Sequence, residues 1–203
     1  MSPAPRRLVI ATHNGHKTEE FRALLGPEWN VEDLSAHPHL PAPEEDGSTF
    51  EENATIKALA AGPVLGPEVL VVADDSGLEV DALDGRPGIH SARYAGPGAG
   101  DRANLEKVLA ELAAAHVRGK ARSARFRCVL VLARGAEKLA AFHGTVEGVL
   151  ANEPKGRGGF GYDPAFIPDG YCETFGQLPP AVKNTLSHRA RALAGLLEYL
   201  DSK

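Results

Sequence analysis

Two adjacent carboxylates, Asp74 and Asp75, directly follow an apolar run at 69–73 and precede Ser76 and Gly77. Ligands of α/β sheets bind at the carboxyl ends of strands, and adjacent carboxylates repel each other unless a cation offsets their charge. Mg²⁺ takes one or two carboxylates and then substrate phosphates. The pair therefore indicates a metal and phosphate site, and because side chains alternate along a strand, only one of the two need face it. The alternative is an acidic turn at a strand end.

A second polar pattern, Thr12-x-Asn14-x-x-Lys17-x-x-Glu20, begins at the last residue of the predicted strand at 8–12. A strand, a short polar loop and a helix together present free N–H groups to an anion. A lysine at a helix start opposes the helix dipole unless an anion binds there, so Lys17 favours a phosphate contact. The spacing is not that of a P-loop. The alternative is a solvated lysine paired with Glu20 one turn along the helix.

An acidic run at 44–46 precedes a predicted helix that carries Asn53 and Lys57. A carboxylate from this run could complete a metal site with Asp75. Acidic runs are more often solvated, and that alternative stays open from the residues alone.

Two later segments offer groups that could bind a nucleobase. The glycine-rich loop at 158–163 lets the backbone approach a ligand, and Phe160 within it has a flat face on which a base could stack. His188 and Arg189, which follow Lys183 by a few residues, can both donate to one carbonyl oxygen, which would favour a 6-oxo purine over a 6-amino purine. The alternatives are a tight turn with a core aromatic and a surface His-Arg pair.

Composition limits the class of protein. The chain has 203 residues, of which 43% are apolar and 24% charged, so it is globular, with one large domain or two small lobes. A net charge of −5 argues against binding nucleic acid by bulk electrostatics. Two cysteines, Cys128 and Cys172, exclude a disulfide scaffold, and Cys128 is predicted to be a buried thiol. No apolar run approaches about 18 residues and no signal peptide is recognisable, so we expect a soluble cytoplasmic protein.

Hydrophobic periodicity places these motifs on a mixed sheet, since helices and strands alternate early and hairpin-like strands come later. Helices are predicted after residue 16, from a capping box at 48–52 to an end at Gly62-Pro63, from Asp101, and after Ser187 as N-cap. The predicted strands cover 8–12, 69–73, 78–83, 124–133 and 139–150.

Taken together, six segments closely resemble the inosine triphosphate pyrophosphatase family, which hydrolyses deaminated purine nucleoside triphosphates. The matching segments lie at 11–17 (ATHNGHK), 49–53 (TFEEN), 73–78 (ADDSGL), 87–94 (PGIHSARY), 159–164 (GFGYDP) and 187–189 (SHR). The resemblance runs from about Leu8 to Tyr199. It implies an α/β fold: an elongated mixed β-sheet flanked by helices, in one domain over 1–203 with two lobes and a central substrate cleft. It also implies a homodimer and Mg²⁺-dependent conversion of ITP, dITP and XTP to the monophosphate and pyrophosphate.

The resemblance also assigns roles to residues. Asp75 would act in the metal site and as proton acceptor, with Glu45 preferred over Glu44 as the second metal-linked carboxylate. The triphosphate would contact Lys57, Lys183 and the loop formed by Thr12, His13, Asn14, Gly15, His16 and Lys17. Ser76 would contact substrate, Phe160 would stack on the base with Gly161, Tyr162 and Asp163 around it, and His188 and Arg189 would read the 6-oxo group.

One position departs from the family pattern, because His13 stands where the family often has glycine. Its side chain could narrow the phosphate loop or add a donor. Two other functions remain compatible with the residues: a broad phosphohydrolase that releases orthophosphate, and a nucleotide-binding regulator without turnover.

Overall fold

A six-stranded mixed sheet organises the chain, in a computed structural model that describes residues 6–40 and 43–202. Its strands are β1 (Arg6–Ile10), β2 (Trp29–Asp33), β3 (Leu70–Val80), β4 (Ser123–Arg134), β5 (Glu137–Leu150) and β6 (Phe166–Pro168). Their order in the sheet is β2-β1-β3-β4-β5-β6. β1 pairs in parallel with both β2 and β3, whereas β5 and β6 are antiparallel. The predicted α/β fold with a mixed sheet is confirmed.

Five α-helices flank these strands in the described part of the chain. They are α1 (Gly15–Leu25), α2 (Phe50–Leu65), α3 (Asp101–Ala114), α4 (Pro180–Leu186) and α5 (His188–Asp201). In residues 6–40 and 43–202, no helix combines the length and the apolar character that a membrane crossing requires.

Burial explains why β1 and α1 form close to where the sequence predicts them, although β1 begins at Arg6 and ends at Ile10 rather than spanning 8–12. Leu8, Val9 and Ile10 are fully buried, as expected for a parallel strand covered on both faces. Asn14 is the N-cap of α1, and its side-chain oxygen accepts from the backbone N–H groups of His16 and Lys17. Phe21 on α1 is likewise fully buried. The hydrophobic stripe and the cap therefore fix both the face and the start of this helix.

The predicted end of α2 at Gly62-Pro63 is wrong, because the helix continues to Leu65. It ends at Gly66, which has a φ of 108° and whose N–H donates to Gly62 O at 3.2 Å. Gly62 serves close packing instead: a Cβ at this position would lie 2.1 Å from the backbone oxygen of Gly135.

The prediction of two strands at 69–73 and 78–83 is also wrong, because β3 is continuous from Leu70 to Val80. Asp74 and Asp75 therefore lie inside a strand rather than in a turn at its end. Both are buried, with 1% and 6% of their surface exposed. The two acids interrupt the apolar run from which the strand was predicted. They do not interrupt the strand itself, because each buried carboxylate has a lysine as its partner.

The later predictions hold more closely. β4 and β5 flank a turn at 135–136, Cys128 is buried, and the Ser187 hydroxyl oxygen accepts from the N–H of Ala190 at the start of α5. The short elements β2, β6 and α4 were not predicted.

The chain divides into two compact units, and each boundary inside the sheet falls within a strand. Unit 1 comprises 1–75, 129–143 and 192–203, of which 1–5, 41–42 and 203 lie outside the described residues. Unit 2 comprises 76–128 and 144–191. Unit 2 has a core of aliphatic and aromatic side chains that includes Leu78, Leu112, Phe126, Phe166 and Phe175.

Candidate active site

In unit 1, Lys57 links two carboxylates to which the family resemblance assigned a role in a metal site. Its Nζ lies 2.7 Å from Asp75 Oδ1 on β3 and 3.3 Å from Glu45 Oε2 in the loop before α2. The Lys57 side chain is 12% exposed and that of Asp75 is 9% exposed. Glu44 is exposed, so of these two loop carboxylates it is Glu45 that contacts the buried pair.

The neighbouring carboxylate has its own lysine. Lys17 Nζ contacts the Asp74 carboxylate and lies 3.4 Å from the Asp74 backbone oxygen. The Lys17 side chain is 15% exposed, so the alternative of a solvated lysine is wrong. Each of the two adjacent acids thus contacts a lysine from a different helix, which offsets their mutual repulsion.

Burial and charge act in opposite directions on the Lys57–Asp75 pair. Burial raises the pKa of Asp75 above its ordinary value, although Lys57 and Lys17 oppose the rise. Burial alone would lower the pKa of Lys57, but the attraction of Asp75 and Glu45 outweighs it and the pKa is raised. Lys57 is therefore a firmly protonated cation beside a carboxylate suited to accept a proton.

The same group of side chains fits a divalent cation. Two lysines contact three carboxylates here, so these five side chains together carry a net negative charge. Asp75 Oδ2 is buried without a hydrogen-bond partner among the residues that the structure describes. No cluster of three or more His, Cys, Asp or Glu that could hold a metal occurs in 6–40 and 43–202. One or two carboxylates plus substrate phosphates is the ligand set that suits Mg²⁺.

The predicted phosphate loop lies at the start of α1. Thr12 Oγ1 accepts from Asn14 N at 3.1 Å, and the Asn14 oxygen accepts from His16 N at 3.0 Å. The Asn14 side chain therefore engages the N–H groups of His16 and Lys17, two of the groups that were expected to face an anion. His13, Gly15 and His16 are exposed.

The acidic loop is fixed to α2 through residues to which the sequence gave no role in binding. Asn53 is fully buried, and its Oδ1 accepts from Gly47 N at 2.9 Å. One turn later on the same helix face, Lys57 contacts Glu45. Glu52 Oε2 accepts from Ser48 N at 2.7 Å. These bonds place Glu45 beside Lys57. The role of Asn53 in holding the acidic loop could not be read from the sequence, because it depends on how the loop packs against α2 in the folded chain.

In unit 2, Asp163 organises the loop that carries Phe160. Its Oδ2 accepts from the backbone N–H of Phe160 at 2.8 Å and from Lys183 Nζ at 2.6 Å. The Lys183 nitrogen also lies 4.8 Å from the centre of the Phe160 ring, a cation–π distance. The predicted contact of Lys183 with the triphosphate stays a prediction. The contacts of Lys183 described here are with Asp163 and Phe160, two residues that were assigned to the base rather than to the phosphates.

The predicted base-reading residues are also in unit 2 and are almost fully buried. Arg189 is 1% exposed, and its Nη2 donates to Ser76 Oγ at 3.0 Å. His188 is 5% exposed and stacks on Phe126 with ring centres 4.8 Å apart. The Tyr162 hydroxyl donates to Ser91 O at 2.8 Å, and burial raises the pKa of that hydroxyl well above its usual value. The alternative of a surface His-Arg pair is wrong.

Asp75 and Ser76, consecutive residues of β3, thus belong to two separate groups. The group in unit 1 contains acids and lysines, and the group in unit 2 contains an aromatic ring and buried donors. A polar chain of phosphates suits the first, and a planar base with a carbonyl oxygen suits the second.

Comparison with known proteins gives matches over nearly the whole chain. The model of the Ham1 family matches residues 8–199. The dITP/XTP pyrophosphatase of Halalkalibacterium halodurans is 50% identical over 194 residues, which cover 95% of this chain and 98% of that protein. The Ham1 protein of Staphylococcus aureus superposes with a TM-score of 0.83 at 41% identity, covering 97% of this chain and 99% of that one. A HAM1 protein from Coxiella burnetii has a TM-score of 0.85 at 40% identity, with coverages of 98% and 100%.

Proposed function

The chain belongs to the Ham1 family, and we propose that it hydrolyses deaminated purine nucleoside triphosphates, among them dITP and XTP, to the monophosphate and pyrophosphate. The family resemblance predicted from the six motifs is confirmed. The curated relatives at about half identity are named dITP/XTP pyrophosphatases, which supports the reaction. The observation that carries the proposal within this chain is the contact of the nearly buried Lys57 with both Asp75 and Glu45 in unit 1.

The group in unit 1 receives the triphosphate. Lys17 and Lys57 supply fixed positive charge for the phosphate oxygens, and a low-dielectric setting strengthens that attraction. Glu45 and Asp75 would hold Mg²⁺, which when bound neutralises the charge of the phosphates. The net negative charge of the five side chains makes a cation necessary before a polyanion can bind there.

Asp75 is the proton acceptor of the proposed reaction. Its carboxylate orients a water and takes its proton as the water oxygen bonds to a phosphorus of the α–β bridge. The bond from that phosphorus to the bridging oxygen breaks at the same time, which releases the monophosphate and pyrophosphate. Lys57 fixes the orientation of that carboxylate through the 2.7 Å contact. Because burial raises the pKa of Asp75, the carboxylate is a better base than an exposed aspartate.

The group in unit 2 selects the base. Phe160 stacks on the purine ring, with Gly161, Tyr162 and Asp163 around it. His188 and Arg189 donate to the oxygen on carbon six. An adenine places an amino group there and leaves buried donors unpaired, which is costly, so selectivity comes mainly from rejection.

Two further predictions from the sequence and the family resemblance are carried into this proposal. They are a cytoplasmic location and a homodimer, the second of which analytical ultracentrifugation of the purified chain would test.

A panel of nucleoside triphosphates, incubated with Mg²⁺ and scored for pyrophosphate and orthophosphate separately, tests the function. We expect dITP, ITP and XTP to yield pyrophosphate far faster than dATP or dGTP. Orthophosphate as the main product would indicate a phosphohydrolase instead, and binding of ITP without any product would indicate a regulator.

A further inference from the structure

The loop that carries Phe160 is held through two successive backbone N–H groups. The N–H of Phe160 donates to Asp163 Oδ2, and the N–H of Gly161 donates to Asp101 Oδ2, each at 2.8 Å. Gly159 and Gly161 have φ values of 70° and 60°, in the left-handed region that favours glycine. A Cβ at Gly159 would lie 2.1 Å from Asp163 Oδ2, so the carboxylate packs directly on the loop.

The two carboxylates come from different places. Asp163 is 2% exposed, lies within the same segment and is neutralised by Lys183. Asp101 precedes Gly161 by 60 residues and is the first residue of α3. No motif singled out Asp101, because its partner is a backbone group that only the fold brings near.

The helix end that carries Asp101 is itself braced. Asn104, one turn later on α3 and 1% exposed, accepts from Ala95 N at 2.8 Å and donates to Ala92 O at 3.1 Å. The adjoining Ser91 O accepts from the hydroxyl of Tyr162. The segment 91–95 thus binds both α3 and the residue that follows Gly161, so Asp101 meets the loop from a fixed position.

We propose that Asp101 is a positioning residue for base recognition: it places Phe160 by holding the N–H of Gly161 and does not touch the substrate. This rests on the proposed function. A loop already ordered before binding spares the ligand the entropy of ordering it. Without the bond, the loop must be ordered on binding, which weakens affinity for any ligand with a base by about fivefold to tenfold.

Calorimetric titration of the full chain with dIMP, which carries a base, and with pyrophosphate, which does not, tests this role. We expect Asp101→Ala to weaken dIMP binding by about fivefold to tenfold and pyrophosphate binding by less than about twofold. Asp101→Asn keeps an acceptor oxygen and should restore dIMP affinity. With dITP as substrate, KM should rise in Asp101→Ala while kcat is retained. Arg102→Ala, a change at the exposed neighbouring residue, is the matched control.

Phe160→Ala separates failure of this inference from failure of the proposed function. If Phe160→Ala leaves dIMP affinity unchanged, the base site itself is misassigned. If Phe160→Ala weakens dIMP binding but Asp101→Ala does not, Asp101 has no positioning role. Equal losses for dIMP and pyrophosphate in Asp101→Ala would also overturn the inference, because they would show general disruption. If Asp101→Ala fails to fold, the comparison of Asp101→Asn with Asp101→Leu decides, because leucine has a similar size but no acceptor oxygen. Equal dIMP affinity in these two variants would contradict a role for an acceptor at residue 101.

Discussion

Lys57 Nζ lies 2.7 Å from Asp75 Oδ1, and both side chains are nearly buried. A lysine and an aspartate that lose their water in this way depend on each other's charge. We expect Lys57→Met, which keeps most of the apolar stem, to lower kcat for dITP by about 100-fold, because it removes a fixed charge and releases Asp75. Steady-state pyrophosphate release measures this.

Lys138→Met is the control for that change, since Lys138 forms an ion pair with Glu51 in which the two side chains are 33% and 42% exposed. Its turnover should stay within about twofold of wild type, as expected for a surface ion pair. A Lys57→Met enzyme that is as active as this control would remove Lys57 from the mechanism.

Arg189 determines the choice of base in this account. Arg189→Ala should lower kcat/KM for ITP by about 100-fold and for ATP by much less, because ATP offers no oxygen on carbon six to the lost donor. The ratio of the two values is insensitive to any uniform loss of folded enzyme. Arg191→Ala, at an exposed residue of α5 whose side chain donates to Thr145 O, should leave the ratio unchanged. Equal losses for ITP and ATP in Arg189→Ala would contradict reading of the oxo group.

Two helical glycines should respond in opposite ways to alanine. In Gly62→Ala the new Cβ would lie 2.1 Å from Gly135 O, so we expect a loss of about 2–3 kcal/mol in the free energy of unfolding. In Gly195→Ala the nearest atom is a Phe142 ring carbon at 3.4 Å, an ordinary contact, and alanine should stabilise α5 by up to about 1 kcal/mol. Urea unfolding of both variants measures the difference. Equal effects would show that Gly62 is not held against the turn.

The sequence predicted the elements whose pattern is local. The apolar stripes of α3 and α5, the cap at Ser187 and the hairpin strands β4 and β5 all depend on neighbours within a few residues. The end of α2 failed because Gly62 is required by contact with Gly135, far along the chain. The break predicted in β3 failed for a similar reason, since the lysine partners of Asp74 and Asp75 come from α1 and α2.

Residue types predicted the candidate site better than spacing did. The carboxylate pair required cations, and the structure supplies Lys17 and Lys57. Spacing alone paired Lys17 with Glu20 and could not show that Asp101 holds the base-side loop, because that contact joins residues 60 apart. Contacts between distant residues depend on the whole fold, which no local pattern encodes.

Asp33 should make stability depend on pH. Burial by itself raises the pKa of its carboxyl, but hydrogen bonds from Ser35 and Thr18 outweigh this and hold the pKa below its ordinary value. A lowered folded-state pKa stabilises the protein above the unfolded pKa of about 3.9, and the gain is lost as pH falls through the folded value.

We therefore expect wild type to exceed Asp33→Asn by about 1–2 kcal/mol in the free energy of unfolding near neutral pH. The difference should stay constant from about pH 6 to 7 and shrink below about pH 4. Denaturant unfolding over this range measures it. A difference that grows toward acid pH would contradict the assigned direction.

Turnover of dITP by Asp75→Asn tests the central claim most directly. The substitution keeps the size of the side chain and removes the base, and Asp84→Asn, at an exposed residue, is its matched control. With Mg²⁺ present, we predict that wild type and Asp84→Asn release pyrophosphate and dIMP in equal amounts, and that Asp75→Asn is slower by at least about 1,000-fold. Pyrophosphate release by Asp75→Asn at the wild-type rate would contradict the account.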